Sequence, residues 1–400
     1  MAPLLPRLVP YDPRPMREFS AELAALESQG LQRSRRVTDC ARGARIWVDG
    51  REYLSFCSND YLGLAADPRV VAALCEGAQR DGAGAGASHL VSGHHRAHEE
   101  LECRLAAFVG LPRALLFSSG YLANLALVTT LTERSSEIFA DKLNHASLND
   151  AMLLSRARFT RYPHCDVAVL GDKLARSEAA EKLVVTDAVF SMDGDIAPLD
   201  AILELCERFD AMLIVDDAHG FGVLGREGRG VLAYFGLASP RIAYMGTLGK
   251  AAGVSGAFVA GSVELIEMLI QRSRSYIYTT ASPPALAWAL MKSLELIEAE
   301  SWRRQRIDAL AGKLARDLRP RRWQLAHSQT PIQPLVIGSN REAMAASDAL
   351  ALEGILVPAI RPPTVPAGTA RLRISLSAAH AEEDVDRMVD ALRRAEQASV

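Results

Sequence analysis

An amine and a pair of carboxylates stand in this chain where a ring cofactor carrying an aldehyde would need them. Lys250 lies in the run Tyr244-Met-Gly-Thr-Leu-Gly-Lys-Ala-Ala-Gly253, just past an apolar, strand-like segment. A second such segment, Met212-Leu-Ile-Val-Asp-Asp-Ala-His219, delivers Asp216 and Asp217 at its end. A lysine that sheds its proton can form a Schiff base, and partial burial beside a cation lowers its pKa enough to allow this. A carboxylate at a neighbouring strand end can keep a pyridinium nitrogen protonated, which deepens the ring's capacity to accept electrons. Together they predict pyridoxal phosphate (PLP), with Lys250 as the Schiff-base lysine. Asp216 is the candidate ring partner; Asp217 competes for that role, and whichever does not act is structural.

The phosphate needs its own seat. Leu115-Leu-Phe-Ser-Ser-Gly-Tyr-Leu-Ala-Asn124 reads as a strand, a Ser-Ser-Gly turn and a helix start. Free N–H groups at a helix N-terminus bind phosphate, and serine hydroxyls add donors. The plainer alternative is that Ser118 or Ser119 merely caps the helix. Thr247 can add a hydroxyl. His219 could reach the phenolic oxygen of the ring, and Ser191, in Phe190-Ser-Met-Asp-Gly-Asp195, is a second donor unless it is only a turn residue. His145, in Lys142-Leu-Asn-His-Ala-Ser147, could lie over the ring and donate to an incoming carbonyl, although a lone histidine is more often structural. Arg361, Arg371 and Arg373 follow near the C-terminus. A bidentate arginine suits an α-carboxylate, and Arg373 alternates with Leu372 and Ile374 on a strand, facing away from them.

Other chemistries fit poorly. His94, His95, His98 and His219 bring no evident carboxylate ligand, so no metal is expected. Ser-Ser-Gly is not the G-x-S-x-G elbow of an α/β-hydrolase. Gly82-Ala-Gly-Ala-Gly86 follows a helix rather than a strand, which disfavours a dinucleotide site.

The elements that must position these groups alternate between strand and helix. A first helix is expected over 16–36, then a hairpin about Asp49-Gly50, a turn at Asn59–Gly63 and a helix from Pro68 to about Arg80. A glycine-rich stretch, 82–93, precedes a helix from His94 to about Gly110. Strands are expected at 114–117, 137–140, 182–186, 212–216, 242–246 and 256–261, with helices at 121–131, 146–154 and 199–208 between them. Short apolar runs separated by helices predict a mostly parallel central sheet covered on both sides. A loop at 276–284 leads to one long helix over 285–316. Strand-helix-strand-helix at 333–338, 343–352, 371–377 and 381–396 then reads as a smaller α+β domain. The division expected is 1–50, 51–290 and 291–400. A net charge of −3 argues against a nucleic-acid binder. The six scattered cysteines suggest a reducing, cytoplasmic setting. The proline-broken start is unlike a signal peptide, and no apolar run is long enough for a membrane span.

These residues taken together resemble the α-oxoamine synthases, PLP enzymes of fold type I, over nearly the whole chain from about residue 30. The resemblance rests on Ser58-Asn-Asp-Tyr-Leu-Gly63, Asp141-Lys-Leu-Asn-His-Ala-Ser147, Val189-Phe-Ser-Met-Asp-Gly-Asp195, Val215-Asp-Asp-Ala-His-Gly220 and Thr247-Leu-Gly-Lys250. It implies an acyltransferase that condenses an amino acid with an acyl thioester and loses CO2. Arg361-Pro-Pro-Thr-Val-Pro366 resembles members that join L-alanine to a pimeloyl group on CoA or a carrier protein. Siblings using glycine and acetyl-CoA are the alternative, and an aminotransferase is a more distant one. By resemblance, Lys250 holds PLP, Asp216 pairs with the ring nitrogen, His145 stacks on the ring, and Ser191 and His219 serve its phenolic oxygen. Ser119, Gly120, Tyr121 and Thr247 serve the phosphate, with Thr280 reaching the site of a partner subunit in a homodimer. Arg373 anchors the amino-acid carboxylate, while Asn59, Arg33 and Arg361 are candidate substrate contacts. Two departures stand out: Gln32 where an arginine is common, and Ala251-Ala252 where an aromatic is usual.

Overall fold

A computed structural model describes residues 19–33 and 35–398. Strands β1 (Thr38–Arg42), β2 (Arg45–Val48) and β3 (Arg51–Ser55) form an antiparallel meander. The β2–β3 turn is the expected one: Asp49 and Gly50 both have positive φ, 50° and 75°, as a two-residue hairpin turn of this hand requires.

The central sheet has seven strands: β4 (Arg113–Phe117), β5 (Glu137–Asp141), β6 (Arg158–Tyr162), β7 (Lys182–Asp187), β8 (Ala211–Asp216), β9 (Ile242–Thr247) and β10 (Ala257–Gly261). Their order is β4-β10-β9-β8-β7-β5-β6. Only β10 runs against its neighbours. Both faces are buried. Along β8, Leu213 and Val215 enter one core cluster and Ile214 the other; along β9, Ile242 and Tyr244 face one side, Ala243 and Met245 the other. Each fully buried side chain of this size contributes about 1.5–3 kcal/mol, so the alternation fixes the register of every strand. With the parallel strands locked, their C-terminal ends share one edge, where open α/β sheets bind ligands.

Strands β11 (Gln324–Leu325), β12 (Ile332–Gly338), β13 (Ile355–Leu356), β14 (Ala359–Ile360) and β15 (Ala370–Ser375) complete the chain. Four of them form a second sheet, β11-β12-β15-β14, while β13 adds to β3 in parallel. Among the described residues no helix is long and apolar enough to cross a membrane.

Several boundaries differ from expectation. The first helix, described over Phe19–Ser28, does not continue to residue 36: Gly30, at φ 63°, accommodates a turn in which Leu31 N–H returns to the Leu26 carbonyl. Strand β6 and the helices Val167–Ala175 and Val263–Arg272 were not foreseen. The sequence of β6, Arg-Phe-Thr-Arg-Tyr, is half polar because it is the sheet's edge strand. The single helix expected over 285–316 is two, Pro284–Ala299 and Trp302–Asp317. The break turns Arg303 inward, where it donates to the Leu62 carbonyl at 2.6 Å, Asp67 at 2.9 Å and Glu300 at 2.8 Å. Arg303→Ala should therefore cost roughly 2–3 kcal/mol, the size of lost bonds to charged partners. It falls short of a fully orphaned buried charge because Arg69 still pairs both acids. A denaturant midpoint unmoved by this change would contradict the reading.

Candidate active site

Five strand ends meet around a cavity of about 220 Å³. Asp216 closes β8 and Asp187 closes β7, in register beside it. Thr247 closes β9 and hydrogen-bonds the Ala218 carbonyl at 3.0 Å. Beyond β4, Ser119 caps the helix Gly120–Leu131 by accepting from Leu122 N–H. Beyond β5, His145 caps the helix Ala146–Ser155. Lys250, in the turn after β9, reaches in from the same edge.

Lys250 Nζ lies 2.9 Å from His219 Nε2, whose Nδ1 lies 2.7 Å from the Tyr61 hydroxyl. Arg373 donates to that hydroxyl at 3.3 Å, to Asn59 Oδ1 at 3.2 Å and to the Ser191 carbonyl at 2.5 Å. Burial pulls the Lys250 ammonium down to about 8, although Asp216 and Asp187 oppose the shift. Burial, with Lys250 and Arg373 nearby, holds His219 well below its usual range. His219 is thus held neutral, and Lys250 gives up its proton more readily than a solvated lysine, as a nucleophilic amine requires. Asp216 accepts from Asn124 Nδ2 at 2.7 Å and from Ala218 N–H at 3.0 Å. Asp187 takes the His145 N–H at 2.9 Å; burial, then the charge of Asp216, raises it well above the ordinary carboxylate range. Burial also lowers His145, whose Nδ1 meets Ser147 Oγ at 2.7 Å.

The geometry separates the two neighbouring aspartates. Asp216 lines the cavity, whereas Asp217 points away and accepts from Val231 N–H at 2.7 Å and the Tyr244 hydroxyl at 2.8 Å. Asp217→Ala would orphan two buried donors, at about 1–3 kcal/mol each. We expect a clear fall in thermal midpoint, while the Asn variant, which keeps an acceptor, loses less. Equal midpoints for Ala and parent would refute this assignment.

Of the residues singled out in the sequence, Gly120, Tyr121, His145, Ser191, Asp216, His219, Thr247 and Lys250 line the cavity. Ser119, Asn59 and Arg373 stand just behind it. Arg33 and Thr280 are exposed elsewhere, and Arg361 contacts the Gly30 carbonyl. Asn124, Ser147 and Asp187 also line the cavity but were given no role in the sequence. Asp187 had a readable signal, an acid at a strand end like Asp216. Asn124 and Ser147 had only helical spacing from the caps that precede them. A larger cleft, about 700 Å³, opens beside Trp323 and His327, but no lysine lines it. His89, His94 and His98 cluster, yet both ring nitrogens of His98 are taken, by His95 N–H and the Ser282 carbonyl.

The residues fit PLP. Asn124 Oδ1 is buried without a partner beside Asp216, so this corner has polar capacity to spare. Gly120 presents bare backbone at the helix N-terminus, where a Cβ would sit 2.8 Å from Thr247 Cγ2. Only glycine lets the helix N-terminus, with its free N–H groups, pack this close to Thr247 at the cavity wall, the setting in which such a terminus binds phosphate.

The family profile described as aminotransferase class I and II matches residues 51–392, and the chain belongs to that family, a PLP-dependent one of fold type I. Its similarity is finer still to acyltransferases within it. An 8-amino-7-oxononanoate synthase of Nitrosospira multiformis is 62% identical over 94% of this chain and 95% of its own. One of Azoarcus sp. is 60% identical over 94% and 97%. Among solved structures, Sphingomonas wittichii serine palmitoyltransferase superposes with a TM-score of 0.90 at 31% identity, covering 95% and 97%. A further serine palmitoyltransferase, solved with PLP, gives 0.88 at 30%, with the same coverage. The 8-amino-7-oxononanoate synthase of Francisella tularensis gives 0.74 at 31%, covering 86% and 97%. The expected family and fold class are thereby borne out.

Proposed function

We propose that this chain binds PLP and condenses L-alanine with a pimeloyl thioester, on CoA or a carrier protein, to give 8-amino-7-oxononanoate in biotin synthesis. We propose further that it works as a cytoplasmic homodimer. The observation that carries the reading is one cavity joining the Lys250 amine, whose proton burial loosens, to the Asp216 carboxylate, in a chain so close to the synthases above. PLP, once bound, supplies an aldehyde carbon for Lys250 and an electron sink for the pair left when the amino acid's Cα–H bond breaks. Asp216 keeps the ring nitrogen protonated. His145 would lie against the ring and would donate towards the thioester carbonyl. Ser191 and His219 serve the phenolic oxygen; Ser119, Gly120, Tyr121 and Thr247 serve the phosphate, with Thr280 contributed to the partner's site. Arg373, steadied by Asn59, takes the carboxylate of alanine, and Arg33 and Arg361 serve the acyl donor. Lys250 accepts the Cα proton and later returns one. Overall, Cα bonds to the acyl carbon, the C–S bond breaks with loss of thiol, and the carboxylate leaves as CO2.

The test is the product. Purified protein given alanine with pimeloyl-CoA should form a compound with the mass of 8-amino-7-oxononanoate. Preference for glycine with acetyl-CoA, or serine with palmitoyl-CoA, would replace this reading with a sibling's. Transfer of the amino group to a keto acid without thioester consumption would replace it with an aminotransferase.

The lowered Lys250 pKa also sets a pH profile. Below about 8 the amine is mostly protonated and cannot attack an aldehyde. Capture of PLP by the cofactor-free protein should quicken roughly tenfold per pH unit below that value, then level off. A rate that keeps climbing to pH 10 would show an ordinary, solvated lysine.

A further inference from the structure

His164 takes no part in the chemistry above, yet it sits between two loops that do. On one side is Asp141, the last residue of β5, whose carboxylate also caps Leu143 N–H and Cys165 N–H at 2.8 Å each. The loop from Asp141 carries His145. On the other side is the turn Val189–Ile196, closed by Phe190 N–H to Asp195 O and Gly194 N–H to Phe190 O. That turn carries Ser191, and its carbonyls seat both C-terminal arginines: Ser191 O takes Arg373, and Met192 O takes Arg371 at 3.1 Å. His164 Nδ1 meets the Asp141 carboxylate at 3.1 Å and Nε2 meets Asp195 Oδ2 at 2.7 Å, with the ring edge-on to Phe190 at 4.3 Å. Carboxylates only accept, so both ring nitrogens must donate, which only the imidazolium can do. Donating at both ends also leaves no lone pair for a metal, although Asp141, His164 and Cys165 are grouped closely enough for one.

We propose that His164 is a positioning residue, a cationic clamp that fixes the 189–196 turn to the end of β5 and so holds the seat of Arg373. The second half rests on the reading that Arg373 takes the amino-acid carboxylate. Burial opposes a charge here, but the hydrogen bonds to Asp141 and Asp195 outweigh it and raise the imidazolium to about 12, so the clamp persists through the working range. Its 27% exposed side chain leaves a path for a small molecule to replace it.

The experiment is His164→Ala with added imidazole, read in two ways. In the cofactor-free variant, hydrogen exchange at the Phe190, Gly194 and Ala197 amides should quicken by about tenfold or more. In the loaded enzyme, KM for the amino acid should rise at least about tenfold and kcat fall less, since a misplaced anchor weakens orientation. Imidazole, with two N–H groups as its cation, should restore both; 1-methylimidazole, with one, should restore neither. Unchanged exchange, or equal effects of the two compounds, would overturn the clamp. Exchange that quickens and is restored while KM stays put would keep the clamp and remove Arg373 from the reading above. Should the alanine variant not fold, His164→Gln keeps a donor for one carboxylate only, and exchange equal to the parent's would overturn the proposal just as well.

Discussion

Lys250→Ala should retain less than about one part in ten thousand of the parent's turnover, because one amine is asked both to link the cofactor and to move the Cα proton. Proton transfer alone typically accounts for about 10²–10⁴. Lys250→Arg should fare no better: a guanidinium stays protonated and can neither attack an aldehyde nor accept a proton. Folding should survive both changes. Lys250 is half-buried at the rim of a cavity and makes one side-chain bond, to His219. Product formation, thermal midpoint and the absorption of the loaded protein should be measured together. Sustained multiple turnover by the alanine variant would remove the lysine from the mechanism.

Asp216→Asn is expected to cost about 10²–10⁴ in kcat while leaving stability close to the parent's, an unusual pairing for a buried polar change. The loss follows because an amide cannot hold the pyridinium proton. Stability holds for two reasons. Asn124 can turn its side chain to offer its unpartnered Oδ1 to the new amide, which replaces the bond at residue 216 although its Nδ2 then gives up Ser147. The like charge that raises Asp187 also disappears, and the Asp187 carboxyl should move back towards its ordinary range. A variant that loses activity and melts early would make Asp216 a structural acid. One that keeps full activity would leave the ring nitrogen without its assigned partner.

The site was legible to the extent that chemistry sits at strand ends. Lys250, Asp216, His219, Ser191 and His145 each follow a short apolar run, and a doubly covered parallel sheet leaves no other place for such runs to end. What spacing alone could not separate was Asp216 from Asp217; only the family resemblance favoured Asp216. Their difference is direction, and it arises from a strand register set by cores on two faces. Asn124 and Ser147 were missed because their roles come from helices packing side by side, which no local pattern records. The edge strand β6 was missed for the opposite reason: half its residues face solvent, so it lacks the apolar run that betrayed its neighbours. The pattern over 285–316 predicts one helix because its break depends on Arg303 reaching Leu62 and Asp67, residues far away in sequence.

Borohydride reduction of the PLP-loaded protein, followed by peptide mapping, asks the most direct question of the account. The reduced pyridoxyl group should be found on Lys250 and should be absent from the Lys250→Ala variant. Label on another lysine, or none at all under saturating PLP, would contradict the assignment from which every other role in the cavity was built.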